Sequence, residues 1–293
     1  GAGIGADDRA RVRVTGVREA CGLAGVLLSA LLLEPERIGI LLWVFLALLV
    51  LAALAISRAP PAVRPGVAAA SRPDFGRAAS PGAWRPIAAD RRFRRLLGVF
   101  VLNGTASALP ATLVLFFVAD VLLAADQAPA FLFLYFVAAA LGMPAWVALG
   151  ARFGPARAWL AGMICSLLAF VWAFTLGPGD VLAFAAVCVM TGLALGADLA
   201  MLGALLAAVV AAAGASGERE AGYFGIWSLA IKLNLALAAG LGLPLLGYLG
   251  YRPGEPSQSS LALAFTYAAL PCLIKLIAAA LVWPMARGGA QSE

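Results

Sequence analysis

The chain has 293 residues, of which 63% are hydrophobic and only 12% are charged, and its formal net charge is +6. A mean hydropathy of +0.96, with repeated apolar runs near the spanning length of roughly 20 residues, excludes an ordinary soluble domain. The sequence has no histidine, and its four cysteines lie inside apolar runs without CxxC spacing, so we interpret them as reduced packing residues rather than metal ligands.

The apolar runs predict an all-α integral membrane protein with eight spanning helices. In chain order these are expected at residues 19–33, 38–57, 96–123, 128–149, 158–176, 181–213, 223–249 and 260–283. In the sixth of them, Gly192 and Gly196 form a GxxxG pair, which predicts a close approach to a neighbouring helix.

The segment 58–95 separates the first two predicted spans from the last six. It is polar and rich in arginine, and its six prolines oppose a continuous helix. Many transporters consist of two six-helix halves. We therefore predict three regions: 1–57 as the end of an N-terminal half with two spanning helices, 58–95 as a cytoplasmic linker, and 96–293 as a six-helix C-terminal half.

Arginine placement predicts the orientation in the membrane. If the chain begins in the cytoplasm, 17 of its 21 basic residues fall in cytoplasmic segments, and only Arg37 and Arg252 fall on the other side. Such a bias places the C-terminus in the cytoplasm, in a plasma or inner membrane. We expect no nucleic-acid binding, because the basic run at 91–95 directly precedes a spanning helix.

Two lysines lie within predicted spans. Lys232 is in the middle of the apolar run 223–248, where a charge costs roughly 2.5 to 3.5 kcal/mol and calls for a partner. Asp198 lies at a similar depth, so we predict an Asp198–Lys232 pair that opens and re-forms during function; a static pair that only holds helices together is the alternative. Lys275 is expected to snorkel toward the cytoplasmic end of its helix.

A short internal match concerns the start of the chain. Arg18-Glu19-Ala20 opens the first predicted span and Arg219-Glu220-Ala221 opens the seventh. Together with the linker position, this match makes the two spans equivalent. The expectation is a chain that lacks four preceding spans.

Longer motifs resemble a known family. Gly196-Ala197-Asp198-Leu199, followed by residues 217–227 and Lys232, resembles the tenth and eleventh helices of the melibiose-carrier family, the glycoside, pentoside and hexuronide to cation symporters of the major facilitator superfamily. The resemblance covers the chain as helices five to twelve, which implies a partial twelve-helix bundle. It implies a secondary transporter, not an enzyme, that moves a sugar or related small polar solute with Na⁺ or H⁺ by alternating access. No cofactor is implied, and we expect a monomer among membrane lipids.

The resemblance suggests roles for further residues beside the coupling candidates Asp198 and Lys232. Arg18 matches a position where sugar carriers place a substrate-contacting arginine, although an interfacial anchor is an alternative. Asn103 is a candidate cavity donor. Tyr223 and Trp227 share one helix face and are candidates to stack on a sugar ring, although membrane-interface aromatics are commonly anchors. Asn234 is expected to form an interhelical hydrogen bond.

Departures from the family keep other functions open. Ala151, Ala208 and Ala211 occupy positions where the sugar carriers commonly have acidic residues. A lipid or lysolipid carrier of the same broad family is the main alternative, because the recognisable cavity residues are sparse and largely apolar. A receptor or scaffold without transport activity is another. An integral-membrane transferase is disfavoured, because no span carries a clustered metal- and phosphate-binding motif.

Overall fold

The computed structural model describes residues 38–58, 84–215, 218–252 and 261–288, together with Gly22 and Gly25. The chain divides into two compact units, Gly1–Pro81 and Gly82–Glu293. In the first unit, helix α1 (Ile38–Arg58) forms at the second predicted span, and its apolar stretch Leu42–Ala55 is shorter than the spans of the second unit. The span predicted at 19–33 lies outside the described residues apart from its two glycines, as does most of the predicted linker.

The regular structure of the second unit is helical throughout its described residues. Its helices are α2 (Trp84–Ala89), α3 (Arg91–Phe116), α4 (Ala128–Phe153), α5 (Pro155–Ala173), α6 (Val181–Ala212), α7 (Glu218–Tyr248) and α8 (Leu270–Gly288). A π-helical turn, Phe117–Val121, extends α3, and a second one, Phe265–Ala269, precedes α8. Within the described residues, six helices are long and apolar enough to cross a membrane: Arg91–Val121, Ala125–Phe153, Pro155–Ala173, Val181–Ala212, Arg219–Tyr248 and Leu261–Arg287. The last six predicted spans are thus confirmed, with ends that differ by a few residues.

Local sequence sets where these helices begin. Asp90 caps α3, because its carboxylate accepts hydrogen bonds from the backbone amides of Arg92 (2.9 Å) and Phe93 (3.3 Å). Between α4 and α5, Gly154 has a φ of +89°, a backbone conformation that favours glycine. Pro155 then begins α5, where its missing amide proton costs no helical hydrogen bond.

The six spans pack in a pattern with internal symmetry. Helix α4 packs against α6, as α7 packs against α3, and α5 packs against α6, as α8 packs against α3. If α3, α4 and α5 are exchanged with α6, α7 and α8 in that order, the same pairs of helices are in contact. Three-helix repeats within a six-helix half are a known architecture of membrane transporters.

Glycines bring α4 and α6 together as predicted. A Cβ at Gly192 would clash with the carbonyl oxygen of Tyr135, and one at Gly196 would lie 3.0 Å from the carbonyl oxygen of Ala139. The indole Nε1 of Trp146 donates a 2.7 Å hydrogen bond to the carbonyl of Leu193 in the same contact. Small residues allow this backbone approach, which fixes the position of the middle of α6.

Two apolar clusters fill opposite ends of the second unit, and polar side chains lie between them. The first cluster includes Phe93, Phe100, Trp159, Met163, Met201, Tyr223, Trp227 and Val282. The second includes Leu113, Phe117, Phe131, Phe184, Val187, Tyr251 and Tyr267. Along α3, α5, α6 and the last span, the residues between the clusters include Asn103, Ser166, Asp198 and Lys275. We call these four residues the polar layer.

Two tyrosine–aspartate hydrogen bonds join the ends of α3 and α7. The hydroxyl of Tyr223 donates to Asp90 Oδ2 (2.8 Å) at one end, and that of Tyr251 donates to Asp120 at the other. Burial acts to raise the pKa of Asp90, but the hydrogen bonds from Tyr223 and from two backbone amides outweigh it and hold this pKa below its ordinary value of 3.8. Burial, together with the Asp120 carboxylate, raises the pKa of Tyr251.

Candidate functional site

Asp198 lies at the centre of the polar layer. Its Oδ1 accepts hydrogen bonds from Trp159 Nε1 (2.7 Å) on α5 and from Asn103 Nδ2 (3.1 Å) on α3. Trp159 and Asn103 are 0% and 1% exposed, so packing fixes both donors. The carboxylate is therefore held in place by neutral groups from two helices, and one of them, Asn103, is a predicted site residue.

Lys275 is the cation of the polar layer. Its side chain is only 7% exposed, and its Nζ donates a 3.1 Å hydrogen bond to Ser166 Oγ on α5. Lys275 also interacts electrostatically with Asp198. The expected snorkelling of Lys275 is thus wrong, because Lys275 shares its helix face with the fully buried Ala278 and Val282 and points into the bundle.

A cavity of about 180 Å³ opens beside Asp198 and Lys275. It lies among α3, α4, α5, α6 and the last span, and residues of all five line it. Its polar end carries Ser166, Asp198 and Lys275. Aromatic side chains form much of the remaining wall: Phe131, Tyr135, Phe136, Phe170 and Tyr267. The cavity is amphipathic, with two opposite charges at one end and ring faces and aliphatic groups elsewhere.

Some hydrogen-bonding capacity around Asp198 is unused by the protein. Among the described residues, none donates a hydrogen bond to Asp198 Oδ2, and the fully buried Asn103 Oδ1 has no partner. Buried polar atoms almost always have partners, including water. These oxygens therefore provide acceptors for water or for a polar solute in this region of the bundle.

Lys232 lies on the opposite side of its helix from the packed face. Helix α7 buries Tyr223, Ala230, Asn234 and Ala238, whereas Lys232, two residues from both Ala230 and Asn234, is exposed. Two residues correspond to more than half a turn of an α-helix. In the described part of the chain, no hydrogen bond or ion pair joins Lys232 to Asp198. The structure therefore does not bring the predicted pair together.

The aromatic candidates lie away from the cavity, in the first apolar cluster. Tyr223 is 1% exposed and meets the ring of Phe93 edge-on at 4.8 Å. Trp227 is stacked on Phe100, with ring centroids 4.0 Å apart. In this conformation both rings are covered by protein side chains, so neither is open to a sugar.

The other candidates have mixed outcomes. Arg18 lies outside the described residues. Asn234 is buried and accepts a 3.5 Å hydrogen bond from Thr105 on α3, which is the interhelical hydrogen bond predicted for it. Lys275, Ser166 and Trp159 were missed as site residues. The signal available for Lys275 was its register, since it lies seven residues from both Ala268 and Val282, which are fully buried.

Comparison with known proteins gives a family. A family model described as MFS/sugar transport protein matches residues 1–285, which is nearly the whole chain. No curated protein matches the chain at a significant level.

Proposed function

We propose that this protein carries a sugar or related small polar solute by cation-coupled alternating access. The premise is that the chain belongs to the MFS/sugar transport protein family and is a membrane transporter of the major facilitator superfamily. The observation that supports this most is the amphipathic cavity beside Asp198 and Lys275. Its opposite charges provide hydrogen-bonding groups for a polar solute inside an apolar bundle. Charges at such depth are costly and usually mark solute or ion pathways.

Irregular helical turns near the cavity suit a moving bundle. The π-turns Phe117–Val121 and Phe265–Ala269 face each other, and the rings of Phe117 and Tyr267 stack with centroids 4.1 Å apart. Tyr267 also lines the cavity. Because π-turns often occur at functional sites, we assign this stacked pair a part in closing the cavity at its aromatic end.

The coupling roles divide between two positions. Asp198 contacts the cavity, whereas Lys232 is on the open face of α7 and is available to a partner outside the six-helix unit. We assign Asp198 to solute binding and Lys232 to cation coupling, with Na⁺ or H⁺ as the ion. Replacing Lys232 with alanine should then abolish gradient-driven accumulation but leave solute exchange at equilibrium.

The arginine distribution supports a plasma or inner membrane location with a cytoplasmic C-terminus. The protein is expected to act as a monomer surrounded by lipid. These assignments can be checked with a reporter fused to the C-terminus.

Lipid or lysolipid transport is the second candidate, and the aromatic and aliphatic walls of the cavity favour it. An acyl chain would pack against these walls and a polar headgroup would lie at the Asp198 end. The two candidates differ in the part of the solute that the cavity holds.

Uptake into proteoliposomes tests both candidates. Radiolabelled glucose, galactose and xylose would be supplied under a Na⁺ gradient, a H⁺ gradient or no gradient, and a labelled lysolipid would be tested in parallel. We expect gradient-dependent sugar accumulation above that of empty liposomes, and loss of accumulation in Asp198→Asn. Lysolipid transfer without sugar uptake would favour the alternative. Sugar binding without transport of any of these solutes would favour a receptor.

A further inference from the structure

The two charged residues of the polar layer, Asp198 and Lys275, line the same cavity, and their opposite charges sum to zero. On the premise of the proposed transport function, we propose that this cavity selects a net-neutral solute of one sugar-sized ring and discriminates against charged analogues and disaccharides. Asp198 and Lys275 together set this charge preference. The proposal rests on the cavity volume, on the unused hydrogen-bonding groups and on the aromatic walls.

The volume limits the solute to about one ring. A cavity of about 150 Å³ in a protein interior holds a single benzene-sized ring. The cavity here measures about 180 Å³ and leaves room for one ring with a few substituents. Because the cavity is partly open, a second sugar ring would lie beyond it and would gain no contact with its walls.

The unused hydrogen-bond acceptor of Asp198 and the unused donors of Lys275 favour a solute that carries hydroxyl groups. Among the described residues, Asp198 Oδ2 accepts no hydrogen bond, and Ser166 accepts only one of the three hydrogen bonds that the Lys275 ammonium can donate. A hydroxyl group both donates and accepts, so neighbouring hydroxyls on one ring can satisfy both residues without bringing a net charge.

A charged solute would disturb the balance. The cavity already contains one negative and one positive group, in walls that are otherwise apolar. An added charge would leave the water, which is costly, and would meet a like charge as well as an opposite one in the cavity. Amino and carboxylate derivatives of the same ring should therefore bind more weakly than the neutral sugar.

The aromatic walls complete the recognition. Tyr135 and Phe136 on α4, Phe170 on α5 and Tyr267 on the last span line the cavity beyond its polar end. The apolar face of a sugar ring can pack against such rings while its hydroxyls point toward the charges. A polar solute without an apolar face could not pack against these aromatic side chains.

Competition binding tests the proposal without requiring transport. Labelled glucose would be bound to the protein in lipid nanodiscs, because detergents with sugar headgroups could compete, and displaced by glucose, glucosamine, glucuronate and maltose. The variants are Asp198→Asn, Lys275→Gln, the double variant, and Arg252→Gln as a control, because Arg252 is exposed and does not line the cavity. Each would be checked for a monodisperse elution profile before binding is measured.

We expect glucosamine and glucuronate to compete at least about tenfold more weakly than glucose, and maltose to compete more weakly than glucose. Asp198→Asn should improve glucuronate relative to glucosamine, Lys275→Gln should do the reverse, and the double variant should restore the balance between them. Arg252→Gln should leave the order unchanged.

Absence of glucose binding, equal competition by maltose, or a charge order that ignores both cavity substitutions would overturn the proposal. These results are distinct from a failure of the transport function. A protein that binds with the expected charge order but never accumulates solute would contradict transport alone. A protein that accumulates sugar while its charge order ignores Asp198 and Lys275 would contradict this inference alone.

Discussion

Lys275 and Lys232 both lie well within apolar spans, but they are on different faces of their helices. Lys275 faces the inside of the bundle, whereas Lys232 lies on the outer face of α7. Lys275 is 7% exposed, donates to Ser166 and faces the cavity with Asp198. Lys232 is exposed, and its neighbours Ile231 and Leu233 are 53% and 45% exposed. Hydropathy treats the two lysines alike. Their helix faces distinguish them, and matched substitutions on inner and outer faces can test that distinction.

The two lysines should differ most in stability. Lys275→Met removes the buried ammonium and leaves Ser166 Oγ without its donor inside the bundle, which should cost about 1 to 3 kcal/mol. Lys232→Met removes a charge from the outer face of α7 and leaves no buried group without its partner, so it should not destabilise the protein. Equilibrium unfolding in mixed micelles measures both values. Equal losses in the two variants would remove the distinction between the faces.

Two glycines of α6 provide a second pair. At Gly192 a methyl group would meet the backbone of α4, so Gly192→Ala should cost about 2 kcal/mol. At Gly203 there is open space within 4 Å, so Gly203→Ala should be neutral or stabilise by up to about 1 kcal/mol. The same unfolding assay applies. A neutral Gly192→Ala would mean that α4 and α6 are not in close contact in the membrane.

Two tryptophans of α5 sharpen the comparison at the site itself. Trp159→Phe removes the indole hydrogen bond to Asp198 and should cost about 1.5 kcal/mol, with weaker solute binding. Trp172 is 45% exposed, so Trp172→Phe should leave both quantities nearly unchanged. Thermal unfolding and glucose binding would be measured for each variant. Solute binding that survives Trp159→Phe at full strength would argue against Asp198 as a binding group.

The smallest effect concerns pH at the end of the bundle. The folded-state pKa of Asp90 is lowered, so its contribution to stability is present above pH 3.8 and is lost as the pH falls through the lower folded value. Tyr223→Phe should reduce this pH dependence, by less than about 0.5 kcal/mol because solvent screens the site. Tyr248, which is 88% exposed, provides the control Tyr248→Phe. Identical acid-unfolding profiles for wild type and Tyr223→Phe would rule out this role.

The sequence predicted the spans well but the inner faces poorly, for one physical reason. A span needs only length and hydrophobicity, and both are visible in residues 96–283. In a bilayer the lipid-facing side is as apolar as the packed side, so Leu229 and Ile231 do not reveal that they face outward. Hydropathy therefore could not distinguish Lys232 from Lys275.

Polar residues carried the missing information. Asn234 forms its interhelical hydrogen bond on the packed face of α7. Lys232 is two residues away, which is more than half a helical turn, so it must lie on a different face. Asp198 and Lys232 lie at similar depths, but Lys232 points away from the packed face of α7. The hydrogen bond from Trp159 to Asp198 depends on how α5 packs against α6, and no spacing within either helix contains that contact.

Solute protection of cysteines tests the central claim, that the cavity beside Asp198 and Lys275 is the solute site. Cys272 lines the cavity, whereas Cys165 is exposed on the outside of the bundle. Two single-cysteine variants, with the other cysteines replaced by serine, would be alkylated with N-ethylmaleimide in the presence and absence of glucose, galactose or xylose. The account predicts that at least one of these sugars slows alkylation of Cys272 and leaves Cys165 unchanged. An unchanged rate at Cys272 with every sugar, in protein that still transports one of them, would contradict it.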